Sequence, residues 1–320
     1  MQILITGAAG FIGFNLSKYL LRNSKLKIFG LDNINNYYSQ TLKLDRIKEL
    51  KKYKKFQFKK IDITNKKKLS NIFKKNKISL IINLAAQAGV RYSLQKPSEY
   101  VDNNILGFYN IISCAKFYNI KKILYASSSS VYGDSKKFPL NEDNKIKPKN
   151  IYALSKKINE EMADVFANQF KISMIGLRFF TVYGEWGRPD MFMMKYLNSS
   201  FNTSEKFYLN NYGNHTRDFT YIQDACKILK KLIFSKKKIN NQILNICSNN
   251  PTNLLKVINE INILTSKKPR LFRRSLQKAD VIKTHGSNKK ILNKVGKIKF
   301  TTMKKGLKKT VSWFKDYYKV

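Results

Sequence analysis

The segment QILITGAAGFIG (2–13) constrains this chain more than any other. An apolar run that reads as a β-strand ends at Thr6. Gly7, Gly10 and Gly13 follow, and an amphipathic pattern begins at once. A turn this tight needs glycine, and glycine also lets the backbone approach a ligand with no Cβ in the way. A helix opening on such a turn presents unpaired N–H donors and a partial positive charge, which suits a phosphate. A strand, a glycine turn and a helix in this order open a βαβ unit.

The rest of the chain continues the alternation. Strands are expected at 2–6, 26–31, 57–61, 80–84, 123–127 and 174–179, and helices at 11–22, 41–51, 66–75, 97–118 and 151–170. The strands are nearly unbroken apolar runs, as expected when both sheet faces are covered. Beyond residue 180 the pattern loosens to helices near 221–234, 253–264 and 303–317 and a strand at 242–246. The expected fold is α/β: a doubly wound parallel Rossmann sheet with a smaller, partly interleaved C-terminal α/β domain. The boundary is expected near 178/179, with strand 242–247 able to return to the main sheet.

Asp32 ends the second strand, 19 residues past Gly13. A carboxylate there can bind a ribose 2′-hydroxyl and repel a 2′-phosphate, so the cofactor is expected to be NAD rather than NADP. Asp62, after the third strand, is a candidate for the adenine edge or a helix cap. Tyr152 and Lys156 stand four apart at the start of a helix and share a face. A free phenol is a poor base at neutral pH, and a nearby ammonium favours its ionised form. Ser127 to Ser130 end the fifth strand, at the carboxyl edge where such sheets bind ligands.

Composition excludes other classes. With 43% hydrophobic residues and only 20 Gly and Pro together in 320, disorder and disulfide scaffolds do not fit. Three dispersed cysteines and two histidines argue for a reducing compartment and against a metal centre. There is no charged leader before the first apolar run and no long uncharged apolar stretch, so a cytoplasmic protein with no membrane span is expected. The formal charge is +42. Its lysines are dispersed, as in Lys66-Lys67-Lys68 and Lys236-Lys237-Lys238, with no nucleic-acid-binding signature, so compositional drift is preferred and no nucleic-acid partner is expected.

Taken together, the chain resembles the extended short-chain dehydrogenase/reductases, and within them the nucleotide-sugar 4-epimerases. The resemblance is carried by TGAAGFIG (6–13), LDN (31–33), NLAAQAGVRYS (83–93), YVDNNILG (100–107), YASSSSVYG (125–133), YALSK (152–156), LRFFTVYGEWGRPDM (177–191) and RDFTYI (217–222). The third and seventh of these look like UDP-glucuronate 4-epimerases. The resemblance implies Tyr152 as base, Lys156 as its partner and Ser128 on the sugar 4-hydroxyl, with Ser129 beside it. It implies an NAD site of Gly7, Gly10, Phe11, Ile12, Gly13, Asp32, Asn33, Asp62, Ile63, Leu84, Ala85, Ala86, Asn104, Ser127 and Phe179, with Arg178 continuing that wall. Arg217 and Asp280 fall where the family grips UDP. Residues 1–178 would then bind NAD and 179–320 a UDP-sugar. A homodimer paired through helices 97–118 and 151–170 is implied; these carry Ile105, Ile111, Ile112, Met162, Val165 and Phe166, enough apolar surface for an interface although some must face the sheet.

Thr181, Arg188 and Arg91 lie in segments that should border the sugar, and an arginine fork matches a carboxylate. The expected reaction is 4-epimerisation of UDP-glucuronate through a transient 4-keto sugar. A neutral UDP-sugar 4-epimerase, a decarboxylase or dehydratase on the same scaffold, and a non-catalytic NAD- or nucleic-acid-binding protein are the alternatives. Gln277-Lys278-Ala279-Asp280 replaces a Pro-Gly-Asp-like segment of the relatives. His285 is read as a surface residue and His215 as structural or lining the nucleotide pocket.

Overall fold

The structure, a computed structural model, describes residues 1–202, 204–235, 241–277 and 280–320. Lys236-Lys237-Lys238 and Lys278-Ala279 lie outside the described residues. The strands in chain order are β1 (Gln2–Thr6), β2 (Lys27–Asp32), β3 (Phe56–Lys60), β4 (Ile78–Asn83), β5 (Lys122–Ser128), β6 (Ser173–Phe179), β7 (Thr181–Tyr183), β8 (Lys206–Asn210), β9 (Thr216–Tyr221), β10 (Gln242–Ile246), β11 (Pro251–Asn253) and β12 (Arg270–Arg274).

Seven of them make one parallel sheet in the order β3-β2-β1-β4-β5-β6-β10. Successive side chains point to opposite faces. Ile3 and Ile5 therefore pack with Leu16 and Leu20 on one face, while Leu4 packs with Ile81, Ile111 and Ile123 on the other. Both faces are covered, which explains the unbroken apolar runs. The strand order reverses between β1 and β4. The crevice beyond the carboxyl ends of these strands is where such sheets bind ligands.

A second lobe covers that crevice. It contains the three-stranded sheet β7-β9-β11 and the pair β8 and β12. The chain crosses between lobes more than once, since β10 leaves the second lobe to pair with β6. The short β8 (KFYLN) and β12 (RLFRR) were not expected, because edge strands this charged carry no clean alternation.

The expected helix 97–118 is broken. It runs as a turn at Ser98–Tyr100, a π-helical stretch at Val101–Leu106 and an α-helix at Gly107–Phe117. The wide turn goes with an inward Asn104, whose amide accepts from the Gln87 N–H at 2.7 Å and donates to the Gln87 carbonyl at 3.1 Å. π-turns of this kind are frequent at functional sites. Among the described residues no helix is long and apolar enough to cross a membrane.

Candidate active site

The glycine turn is built by close approach. Gly7 adopts φ +69°, and a Cβ on it would lie 2.8 Å from the Ala85 nitrogen. A Cβ on Gly13 would lie 2.1 Å from the Gly7 carbonyl oxygen, so the helix can rest on β1 only with glycine there. The Asp32 carboxylate accepts from Ala9 N–H at 3.0 Å and Ile34 N–H at 2.8 Å, which aims it along the turn. Burial pushes this carboxyl up, against the pull of the Ile34 N–H and of the Lys43 ammonium. Asp62 accepts from the Asn33 amide at 2.8 Å and from the Thr64 N–H and hydroxyl. Burial pushes the Asp62 carboxyl up, but these donors outweigh it and the net shift is down.

One cleft of about 1220 Å³ runs from this turn to the second lobe. Gly7, Gly10, Phe11, Ile12, Gly13, Asp32, Asn33, Asp62, Ile63, Leu84, Ala85, Ala86 and Phe179 all line it. The cradle that a Cβ would fill, together with a carboxylate at the end of β2, fits a dinucleotide with a free ribose 2′-hydroxyl. Asn104 does not line the cleft. It is committed to Gln87 and to the Ser155 hydroxyl at 2.9 Å, so it shapes the 84–87 wall from behind.

Asn150 caps the helix Ile151–Phe170 through the Ala153 N–H, which sets Tyr152 in the first turn. Tyr152 lines the cleft with Ser128, Ser129 and Ser130. Ser128 donates to the Ser130 hydroxyl at 3.1 Å and accepts from its N–H. Lys156 lies buried behind, donating to the Ala126 carbonyl at 2.9 Å. Burial pulls its ammonium down to about 8, against the opposing charge of Glu160.

Two expectations need correction here. Arg178 does not continue the cofactor wall. Alternation along β6 turns it away from Phe179, into a bidentate pair with Glu160 at 2.9 and 2.7 Å whose side chains are only 5% and 7% exposed. Ser127 likewise turns inward and donates to Glu160 at 2.5 Å.

The second lobe contributes Thr181, Arg188, His215, Arg217 and Asp280 to the cleft, and the first lobe adds Arg91. Arg91 was expected beside the sugar. It lines the cleft and pairs with Asp280 at 3.2 and 2.7 Å, which joins it to the residues expected to grip UDP. Arg217 donates to the Thr216 and Ile282 carbonyls, and burial pulls it down to about 10. His215 is buried against the cleft and its Nε2 has no partner among the described residues. His285 is half-buried and contacts the Asn249 side chain at 2.7 Å. Sequence reading missed Glu160, Tyr37 and Asp190. It also missed Arg46, which is fully buried and ties the Ala9 carbonyl to those of Trp186 and Gly187. The Asp in GRPDM was the one available signal.

A dinucleotide cradle that opens onto a tyrosine, a run of serines and a second-lobe pocket suits one class of enzyme, the NAD-dependent nucleotide-sugar epimerases. The chain belongs to the NAD dependent epimerase/dehydratase family, which it matches over residues 3–247. It is 38% identical over 318 residues to the UDP-glucuronate 4-epimerase of Thermodesulfobacterium geofontis, covering 98% of this chain and 96% of that protein. It is 36% identical over 337 residues to UDP-glucuronate 4-epimerase 4 of Arabidopsis thaliana, covering 99% of this chain and 76% of that protein. The crystal structure of UDP-glucuronic acid 4-epimerase from Bacillus cereus, in complex with UDP-glucuronic acid and NAD, superposes with a TM-score of 0.93 at 30% identity, covering 99% of this chain and 100% of that one.

Proposed function

We propose that the protein interconverts UDP-glucuronate and UDP-galacturonate by inverting C4. The observation that carries the reading is the cleft itself. The dinucleotide cradle, Tyr152 with Ser128, and the Thr181 and Arg188 side chains all line one continuous space.

The glycine turn and Asp32 would hold the adenosine half of NAD, and Lys156 would reach the nicotinamide ribose. Bound NAD supplies reversible hydride exchange with the sugar C4. The protein manages the proton. Tyr152 takes it from the 4-hydroxyl, with Ser128 sharing the hydrogen bond, and returns it after the sugar has presented its other face. Lys156, one helical turn on, would place its ammonium behind the reacting phenol. Fixed spacing of these groups contributes an effective-molarity advantage. Arg217 and Asp280 would grip UDP, with Arg91 holding Asp280. Thr181 and Arg188 would hold the sugar carboxylate.

In this reading residues 1–178 bind NAD and 179–320 bind the UDP-sugar. The enzyme acts as a homodimer in the cytoplasm. Three free, buried cysteines, Cys114, Cys226 and Cys247, suit a reducing compartment. The test is to incubate purified protein with UDP-glucuronate and identify the product. UDP-galacturonate without released CO2 supports the reading. A pentose product with CO2, or turnover of UDP-glucose alone, overturns it.

A further inference from the structure

We propose that Asp190 and Tyr37 are positioning residues for the sugar carboxylate: Asp190 takes one edge of the Arg188 guanidinium, so that the other edge is presented to the ligand. The inference rests on the uronate reading above and adds to it the device that sets carboxylate specificity.

A guanidinium carries five N–H donors in one plane and can serve two carboxylates at two edges. Arg188 Nε donates to Asp190 Oδ1 at 3.0 Å, and Nη2 donates to Oδ2 at 2.5 Å. That pair consumes the side edge. The end edge lies outside the Asp190 pair, and the Tyr37 hydroxyl also interacts with the guanidinium. The Tyr37 hydroxyl donates to Asp190 Oδ2 at 3.0 Å, and its ring lies 5.8 Å from the guanidinium carbon. Tyr37 is itself fixed. Its ring is 4.9 Å from that of Tyr92, and a Cβ on Gly89 would lie 2.2 Å from its hydroxyl oxygen. Two segments that are far apart in the chain therefore meet at one guanidinium, and a third, at 89–92, packs against Tyr37.

Arg188, Asp190 and Tyr37 all line the cleft, and the Arg188 and Asp190 side chains are 20% and 24% exposed. Burial pushes the Asp190 carboxyl up, yet the adjacent guanidinium outweighs it and the net shift is down. The pair thus meets a ligand with its charge balanced. An unclamped arginine is a mobile charge that attracts any anion, including a pyrophosphate. A clamped one offers two parallel N–H groups in a fixed direction, which a planar carboxylate matches. Asp190 exchanges charge for direction.

Direction also matters to the product. In a 4-keto uronate the C5–C6 bond can break. Its electron pair then forms the C4–C5 double bond of an enolate, CO2 leaves, and a proton adds at C5. This needs the C5–C6 bond aligned with the carbonyl π-system, and a held carboxylate resists that alignment.

The experiment measures binding of UDP-glucuronate and UDP-glucose to the NAD-loaded protein, together with CO2 released per epimer formed. Asp190→Ala, Asp190→Asn and Tyr37→Phe are compared with the unaltered enzyme. Asp190→Ala is expected to lower the affinity ratio of uronate to glucose by about tenfold and to raise the CO2 fraction. Asp190→Asn and Tyr37→Phe should give smaller losses in the same direction. An unchanged or raised ratio in both Asp190 variants overturns the inference. Failure of the unaltered enzyme to prefer UDP-glucuronate overturns the uronate reading and the inference with it, and that failure is seen without any substitution.

Discussion

Buried behind Tyr152, Lys156 gives up its proton near pH 8 rather than near its ordinary 10.5. If the ammonium is what favours the phenolate, kcat/KM must fall as pH rises through about 8, since that ratio reports the free enzyme. Lys156→Arg should move this alkaline limb upward, because a guanidinium keeps its charge. A flat profile in the unaltered enzyme from pH 7 to about 10 would contradict the role. His215 bears on stability instead. Burial, aided by Arg217, lowers its pKa from 6.5. Below 6.5 the unfolded chain binds a proton that the folded chain refuses, so stability is full above that value and is lost as pH falls. His215→Gln should flatten the drop in urea midpoint between about pH 7 and pH 5. At this scale the sequence was most informative about residues with a motif, such as Gly7, Asp32 and Tyr152. It was silent on Tyr37 and Glu160, whose partners lie 153 and 18 residues away and are set by tertiary packing.

Glu160 belongs to the helix Ile151–Phe170 and Arg178 to β6, and their buried pair fastens the helix that carries Tyr152 to the sheet. Breaking such a pair leaves one uncompensated buried charge. Glu160→Ala should therefore cost about 3–5 kcal/mol in urea unfolding. Replacing both partners with methionine should recover much of that loss, and equal losses in single and double variants would contradict the account. The same elements show what periodicity can and cannot reveal. Strands of the main sheet and their crossover helices were legible because burial on both faces imposes long apolar runs. The π-turn at Val101–Leu106 was not, since it answers to the Asn104–Gln87 contact rather than to a local pattern.

For the whole molecule, the broken helical segment 98–117 and the helix Ile151–Phe170 leave apolar groups uncovered. Phe117 is 80% exposed, and Val101, Leu106, Tyr109, Leu154 and Val165 are exposed as well. Of the apolar residues expected on these helices, some of which had to face the sheet, Ile111 and Ile112 do so and are buried in the core, so the available face is made by these others. Sedimentation should give a dimer, and Tyr109→Glu with Leu154→Glu should give a monomer. A monomeric parent would contradict the paired-helix arrangement. The two lobes line one cleft that runs from the glycine turn past Tyr152 to Arg188 and Arg217, and the proposed reaction needs both of them. The direct measurement is turnover of UDP-glucuronate by Tyr152→Phe, with NAD content determined on the same sample. The account predicts that NAD is retained while kcat falls by about 10² to 10⁴. Undiminished turnover, or a parent protein that binds no NAD, would contradict it.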